Sequence, residues 1–184
     1  MLAAAALVAA PTSALVPWPA PKNPMALARA AGLVPEVNEH LTFHVHSHLD
    51  IFLSGKRVGV PAGIGINVAD PAVKSGPMPD GSTAYGGIVR CKRVCISPLH
   101  THDDSGVLHT ETSKPVPNRL GQFFVEWNVR LTRTCVATHC KGVAFYVNGH
   151  RYRGDPRTIL LADRTEIAIV IGRPPKTIPA AFPR

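Results

Sequence analysis

Six of the nine histidines in this chain fall in two short stretches. The first stretch runs from Phe43 to Asp50 and the second from Leu99 to Glu111. Both contain the spacing His-x-His, which places two imidazoles on one face of a β-strand because successive side chains alternate between faces. The candidate metal ligands are these six residues: His44, His46, His48, His100, His102 and His109.

The residue types in the two stretches favour a transition metal. Neutral imidazole suits zinc, copper, iron and nickel, whereas calcium and magnesium require carboxylate clusters that are absent here. The three methionines lie outside both stretches, which disfavours a blue-copper centre. We expect copper or zinc, in one site or two, with Asp103 or Glu111 as a further ligand or as a catalytic base.

Two predicted elements position the histidines. Apolar and polar residues alternate over residues 39–53, which predicts a half-buried strand whose polar face is mostly histidine. In the second stretch, two alternating arms flank the turn residues 104–106. The result is a predicted β-hairpin that places His109 across from His100 or His102.

The rest of the chain predicts a mainly β fold, a small antiparallel sandwich or barrel with one or two short helices. Among 184 residues, 18 prolines and 15 glycines indicate many short elements joined by turns. Helices are expected over 25–31 and 120–127, and residues 67–87 are expected to form a long surface loop. The last strands are expected at these ranges: 143–146, 159–161 and 166–171.

The N-terminal residues resemble an export signal. Residues 1–14 form a short apolar run that ends in the small-x-small pattern of a signal-peptidase site, although the usual basic start is missing. An ordered apolar helix is the alternative. We predict a signal peptide over 1–14, a linker with a short helix over 15–38, a metal-binding β domain over 39–174 and a tail over 175–184.

Cysteine spacing is consistent with a secreted or cell-envelope protein. The four cysteines form two close pairs, Cys91 with Cys95 and Cys135 with Cys140, and three pairings are possible. The two local disulfides are favoured slightly. A four-cysteine zinc site fits an exported chain less well.

The formal charge of +8 is most simply explained by a solvated basic surface, and binding of an anionic partner is the alternative. The basic residues are spread along the chain, with neither a basic run nor an RNA-binding motif, so nucleic acid is not expected. For an exported protein, the corresponding partners are anionic polymers of the cell envelope.

Two motifs, HxHxHLDI and LHTHDxSGxxHxE, recur in a family that the chain resembles over about residues 40–172. Leu-Gly-Gln-Phe-Phe and a late Val-Asn-Gly turn add to the likeness. The family comprises exported bacterial and archaeal proteins without an assigned activity, so the resemblance implies a shared fold and site but no reaction. A weaker analogy links the histidines to cupin metal sites, although the glycine and proline spacing of cupins is absent.

Three functions are compatible with these observations. The first is transition-metal binding for storage or delivery. The second is a mononuclear metalloenzyme, an oxidoreductase or a hydrolase, that uses metal-bound water or dioxygen. The third is an interaction module with a structural zinc. Metal binding is favoured, because the sequence contains no clear nucleophile-base pair, cofactor loop or substrate motif.

Overall fold

The structure is a computed structural model that describes residues 16–183. The predicted signal peptide therefore lies outside the described residues. The prediction of a mainly β fold with one or two short helices is confirmed. The elements are α1 (Pro24–Ala30), β1 (Phe43–Leu53), β2 (Lys56–Val58), β3 (Lys74–Pro77), β4 (Thr83–Gly86), β5 (Leu99–His100), β6 (Val107–Thr112), α2 (Leu120–Glu126), β7 (Val143–Val147), β8 (His150–Tyr152), a 3-10 turn (Pro156–Thr158) and β9 (Thr165–Ile171).

Seven strands form the main sheet, in the order β5-β6-β1-β9-β7-β8, with β2 also paired to β1. The first half of β1 pairs antiparallel with β6, and its last three residues pair with β2. On its other edge β1 pairs with β9 in parallel, over residues 47–53. This parallel pairing joins segments more than one hundred residues apart, and no local sequence pattern indicates it.

The alternation predicted for β1 separates the two faces of the sheet. Its odd-numbered residues Leu49 and Ile51 are completely buried. They share one hydrophobic core with Leu108 of β6, with alternate residues of β9 and with both helices. The aromatic cluster predicted for α2 lies in this core, at Phe123, Phe124 and Trp127.

The even-numbered residues of β1 lie on the opposite face and change in character along the strand. The first ones are His44 and His46, the next are the buried His48 and Asp50, and the last is Phe52. Phe52 belongs to a small apolar cluster with residues of β7 and β9, against which Ile178 of the C-terminal segment packs. The histidine face is therefore polar at one end and apolar at the other.

The predicted surface loop over residues 67–87 is partly wrong, because it contains the two-stranded hairpin β3–β4. Its turn has the chemistry of a tight reversal: the Asp80 carboxylate accepts hydrogen bonds from Ser82, and Gly81 adopts a φ of +87°. Proline and glycine in the strands themselves obscured the pattern. The predicted strand over 159–161 is also wrong, since only Leu160 forms an isolated bridge, to Arg119.

Two disulfides cross-link residues within loops of the domain. Cys91 pairs with Cys95 and Cys135 with Cys140, as the local pairing predicted. The first lies in a small apolar cluster beside the β3–β4 hairpin. Within residues 16–183, no helix combines the length and the apolar character needed to cross a membrane.

Candidate metal centre

Three neighbouring strands bring five imidazoles and one carboxylate to the same face of the sheet. In the register of β1 and β6, His44 lies opposite Glu111 and His46 lies opposite His109. In the register of β5 and β6, His100 lies opposite His109. His102 follows two residues after His100, so all six side chains meet at the β5-β6-β1 end of the sheet.

Donor atoms in this group, the histidine cluster, lie at the separations that ligands of one ion adopt. The Nε2 atoms of His100 and His102 are 3.2 Å apart, and Nδ1 of His109 is 3.3 Å from Oε1 of Glu111. The same Glu111 oxygen lies 3.8 Å from His100 Nε2 and 3.9 Å from His102 Nε2. For metal–ligand bonds of about 2.0–2.1 Å, tetrahedral geometry places ligands roughly 3.3 Å apart.

Two backbone carbonyls set the protonation of the ligating rings. The Nδ1–H of His100 donates to the carbonyl of Ser97 at 2.9 Å, and the Nδ1–H of His102 donates to the carbonyl of Tyr85. A carbonyl can only accept, so each Nδ1 carries the hydrogen and each Nε2 keeps its lone pair. Both Nε2 atoms face the cluster, which is how metal-ligating histidines are commonly oriented.

Glu111 is the ionised centre of the cluster. Burial disfavours its charged form, yet the neighbouring imidazoles of His102 and His109 hold the pKa of Glu111 well below its usual range. Its Oε1 faces the ring nitrogens, while its Oε2 is buried without a hydrogen-bond partner. A buried carboxylate with an orphaned oxygen favours a cation beside it.

Several of the imidazoles are held in the neutral form that metals require. Complete burial and the neighbouring His102 lower the pKa of His100 to about 3. Burial, together with the nearby rings, also lowers the pKa of His109 and of His46. His102 differs: burial disfavours its charged form, but the nearby Glu111 carboxylate and the Tyr85 carbonyl outweigh burial and raise the pKa of His102.

The cluster forms part of the lining of an open cleft of about 560 Å³, whose other wall is the β3–β4 hairpin. The hairpin is fastened by the Tyr85 N–H, which donates to the His102 carbonyl at 2.8 Å. Gly86 lies against the His102 ring, where an added Cβ would sit 3.1 Å from Nδ1. The sequence offered no periodic signal for this wall.

Glu39 also lines the cleft and was not among the predicted site residues. Partial burial and the charge of Glu111 raise the pKa of Glu39. Its Oε1 is buried without a partner. Its position just before the histidine strand is the only sequence signal that could have identified it.

His48 lies in a separate group of buried charges. Its Nδ1 is 2.8 Å from the Glu166 carboxylate, and its Nε2 donates to the Ser105 carbonyl at 3.0 Å. Although burial disfavours the charged ring, the Glu166 hydrogen bond raises the pKa of His48. Asp50 pairs with Arg57 beside them. Both nitrogens of His48 are therefore engaged, and neither presents a free lone pair.

Asp103 serves the turn of the hairpin. Its carboxylate accepts a hydrogen bond from the Ser105 N–H at 2.9 Å. Among the described residues it belongs to none of the groups that could hold a metal ion. Of the predicted site residues, the structure thus brings together five histidines and Glu111 in one cluster. It places His48 in a separate group, with Asp50 and Glu166, that could also hold a metal ion, and it places Asp103 in the turn.

The residues present fit a transition-metal ion. His100, His102, His109 and Glu111 form one group of potential ligands, and His44, His46 and His109 form an overlapping one. Comparison with protein-family models, with curated proteins and with solved structures finds no match. The chain can hold a metal ion through His and Glu side chains. Its chemistry is therefore derived from the site itself.

Proposed function

We propose that this protein is an exported copper- or zinc-binding protein that stores or delivers its metal. The single observation that carries the proposal is the convergence of four potential ligands, His100, His102, His109 and Glu111, on one point of the sheet. Three imidazoles and a carboxylate suit zinc or type-2-like copper, since both metals accept nitrogen and oxygen ligands.

Export is supported by the chemistry of the cysteines. All four form disulfides, which persist in oxidising compartments. The signal-like residues 1–14 and the resemblance to exported proteins with the same two motifs add to this support. In such a compartment the thiol groups are unavailable to metals, and imidazole becomes the main soft-to-intermediate ligand.

Storage or delivery is supported by the exposure of the site. A structural zinc is normally enclosed by four protein ligands, whereas this cluster opens to a cleft of about 560 Å³. His44 stands at the cleft with a third of its side-chain surface exposed, 33%. Metal can enter and leave through such an opening without unfolding the domain.

The decisive test is elemental analysis of the protein purified from its native compartment, followed by loading with copper alone. At one copper ion per chain, we expect a Cu²⁺ electron paramagnetic resonance signal that accounts for all the bound copper and shows nitrogen hyperfine coupling. His102→Ala should weaken or abolish that signal. His150→Ala, which removes an exposed histidine of β8, is the matched control and should leave it unchanged. Failure of the parent protein to bind any transition metal would refute the proposal.

A mononuclear metalloenzyme is the second candidate, and the cleft favours it. The carboxylates of Glu39 and Glu111 face the same space as His102 and His109. A bound ion would supply Lewis acidity there, and the protein groups would hold or move a proton. Azide added to the copper-loaded protein tests for an open coordination position: a changed spectrum supports it, and an unchanged one favours a closed site.

A further inference from the structure

The histidine cluster contains more ligands than one ion uses. When the first ion is held by His100, His102, His109 and Glu111, four protein atoms complete a tetrahedral site. His44 and His46 then remain beside it on β1. Their rings lie in edge-to-face contact, with centroids 4.5 Å apart.

Binding of the first ion changes what His46 faces. Its Nε2 lies 3.1 Å from Nδ1 of His109, close enough for a hydrogen bond when no metal is present. Once Nδ1 of His109 binds an ion, it carries neither a hydrogen nor a free lone pair and can neither donate nor accept that hydrogen bond. The Nε2 atom of His46 then needs another partner, and its lone pair is available for a cation.

Glu111 lies between the two sets of ligands. Its Oε1 is 3.1 Å from His44 Nε2, as well as 3.3 Å from Nδ1 of His109. Its Oε2 has no hydrogen-bond partner. A carboxylate so placed can bind two cations at once, which is the usual role of a bridging carboxylate in two-metal sites.

Charge also favours a second cation. Glu39 and Glu111 both line the cleft, and each has a buried oxygen without a partner. Two carboxylates that face one space repel each other unless cations lie between them. Glu39 and Glu111 thus supply two negative charges to the space that the two ions would share, which is one charge for each ion.

We propose that a second copper or zinc ion binds next to the first, held by His44 and His46 and bridged to it by Glu111. The proposal rests on the proposed metal binding and extends it to a two-ion centre. In a storage protein the second ion doubles the capacity of the site. In an enzyme it is the ion nearest the cleft opening, because His44 is the most exposed of the cluster histidines.

The test counts ions in the full chain with Zn²⁺ alone. The metal-free protein is brought to saturation by equilibrium dialysis, and zinc per chain is measured by mass spectrometry. We expect two ions in the parent and one in the double variant His44→Ala/His46→Ala. The matched control His150→Ala should bind two. The His46→Gln variant, which keeps a polar side chain on β1, guards against loss of folding and should also bind one.

The possible results separate the two proposals. One ion in the parent and in the double variant alike would overturn the second site and leave the first intact. No ion in the parent would overturn both. In the protein loaded with two Cu²⁺ ions, the paramagnetic resonance intensity should fall below the copper content, because bridged ions couple. Full intensity in that sample would overturn the bridge.

Discussion

At the scale of single residues, the centre depends on which ring nitrogen keeps its lone pair. Carbonyls of Ser97 and Tyr85 fix the hydrogens of His100 and His102, so both rings present Nε2. His48 illustrates the opposite case, since Glu166 and Ser105 engage both of its nitrogens. Histidine side chains on the same face of the sheet therefore differ in their capacity to bind metal.

Replacement of Glu111 by Gln tests the one negative charge of the ligand group. Glu111→Gln should weaken Zn²⁺ binding by more than the roughly 10–100-fold that loss of an outer hydrogen-bond partner costs. The physical reason is that an amide oxygen lacks the charge that attracts the ion. Competition with a chromophoric chelator measures the affinity. Asp155→Asn, which alters the Asp155–Arg157 pair at the 3-10 turn away from the cluster, is the control and should retain the parent affinity.

A second prediction concerns Glu126, which is fully buried on α2 with neither carboxylate oxygen hydrogen-bonded. Burial raises the pKa of Glu126 well above its ordinary value of 4.5. The folded state therefore holds this proton at pH values where the unfolded state has lost it, so stability falls as pH rises above the unfolded pKa. Glu126→Gln should remove this component.

Urea denaturation from pH 4.5 to pH 8 provides the measurement for Glu126. The free energy of unfolding of Glu126→Gln, relative to the parent, should increase towards pH 8 by about 1–3 kcal/mol. Taking the difference in free energy of unfolding between the two proteins removes the contributions of all other titrating groups, which are the same in both. A difference that stays constant over this range would show that Glu126 titrates alike in both states.

At the scale of elements, the hairpin β5–β6 carries three of the four potential ligands of the proposed first ion: His100, His109 and Glu111. Its position depends on the segment that contains Gly65. Gly65 adopts a φ of +73° and lies directly against the backbone of Leu99 and His100. An added methyl group would clash with the Leu99 carbonyl and touch Cβ of His100. Because residue 65 has no side chain, β5 can approach its backbone closely, and His100 is buried there.

Gly65→Ala should destabilise the domain and weaken zinc binding, because β5 must move to admit the methyl group. Gly81→Ala is the matched control: Gly81 has a φ of +87° but nothing within 4 Å of an added Cβ. Both variants incur the left-handed backbone cost of about 1–2 kcal/mol, and only Gly65→Ala adds the clash. If Gly65→Ala and Gly81→Ala lowered the thermal stability equally and the zinc affinity equally, the proposed role of Gly65 would be contradicted.

The buried charges around His48 tie three elements together, and a substitution separates this role from metal binding. His48→Gln removes the cation that joins β1 to Glu166 of β9 and to the turn at Ser105. We expect a loss of about 3–5 kcal/mol in the free energy of unfolding, since one partner of a buried pair is left uncompensated. Zinc stoichiometry of the folded variant should equal that of the parent. A lost ion would place His48 among the ligands instead.

At the scale of the whole molecule, the core and the candidate metal centre lie on opposite faces of one sheet. The apolar face of β1 packs against α1 and α2, and two disulfides restrain the surrounding loops. None of these contacts needs an ion. The attraction of the basic surface to anionic envelope polymers stays a prediction.

The metal-free protein should therefore remain folded. After chelation, we expect far-ultraviolet circular dichroism and a cooperative thermal transition like those of the loaded protein. Added Zn²⁺ should raise the midpoint with concentration, by an amount equivalent to about 2.7 kcal/mol when the free ion reaches 100 times its dissociation constant. An unfolded apo protein would instead identify a structural zinc.

Local patterns were sufficient for much of the fold. Alternation predicted β1, turn residues predicted the hairpin of β5 and β6, and the aromatic cluster predicted α2. The β3–β4 hairpin was missed, because Pro77 and Gly76 are residues that strands usually avoid. The parallel pairing of β1 with β9 was missed as well, since strand neighbours distant in sequence leave no local trace.

By itself, the sequence determined that histidines share faces on two predicted elements, because the two-residue period of a strand is a local property. Only the tertiary structure decided which histidines meet. The register of β1 against β6 sets His44 and His46 beside Glu111 and His109. Two residues further along the same strand, β9 presents Glu166 to His48 and engages it. Strand register and hydrogen-bond partners are set by long-range packing. As a result, one histidine-rich face of the sheet contains a candidate metal centre at one place and a buried ion pair at another.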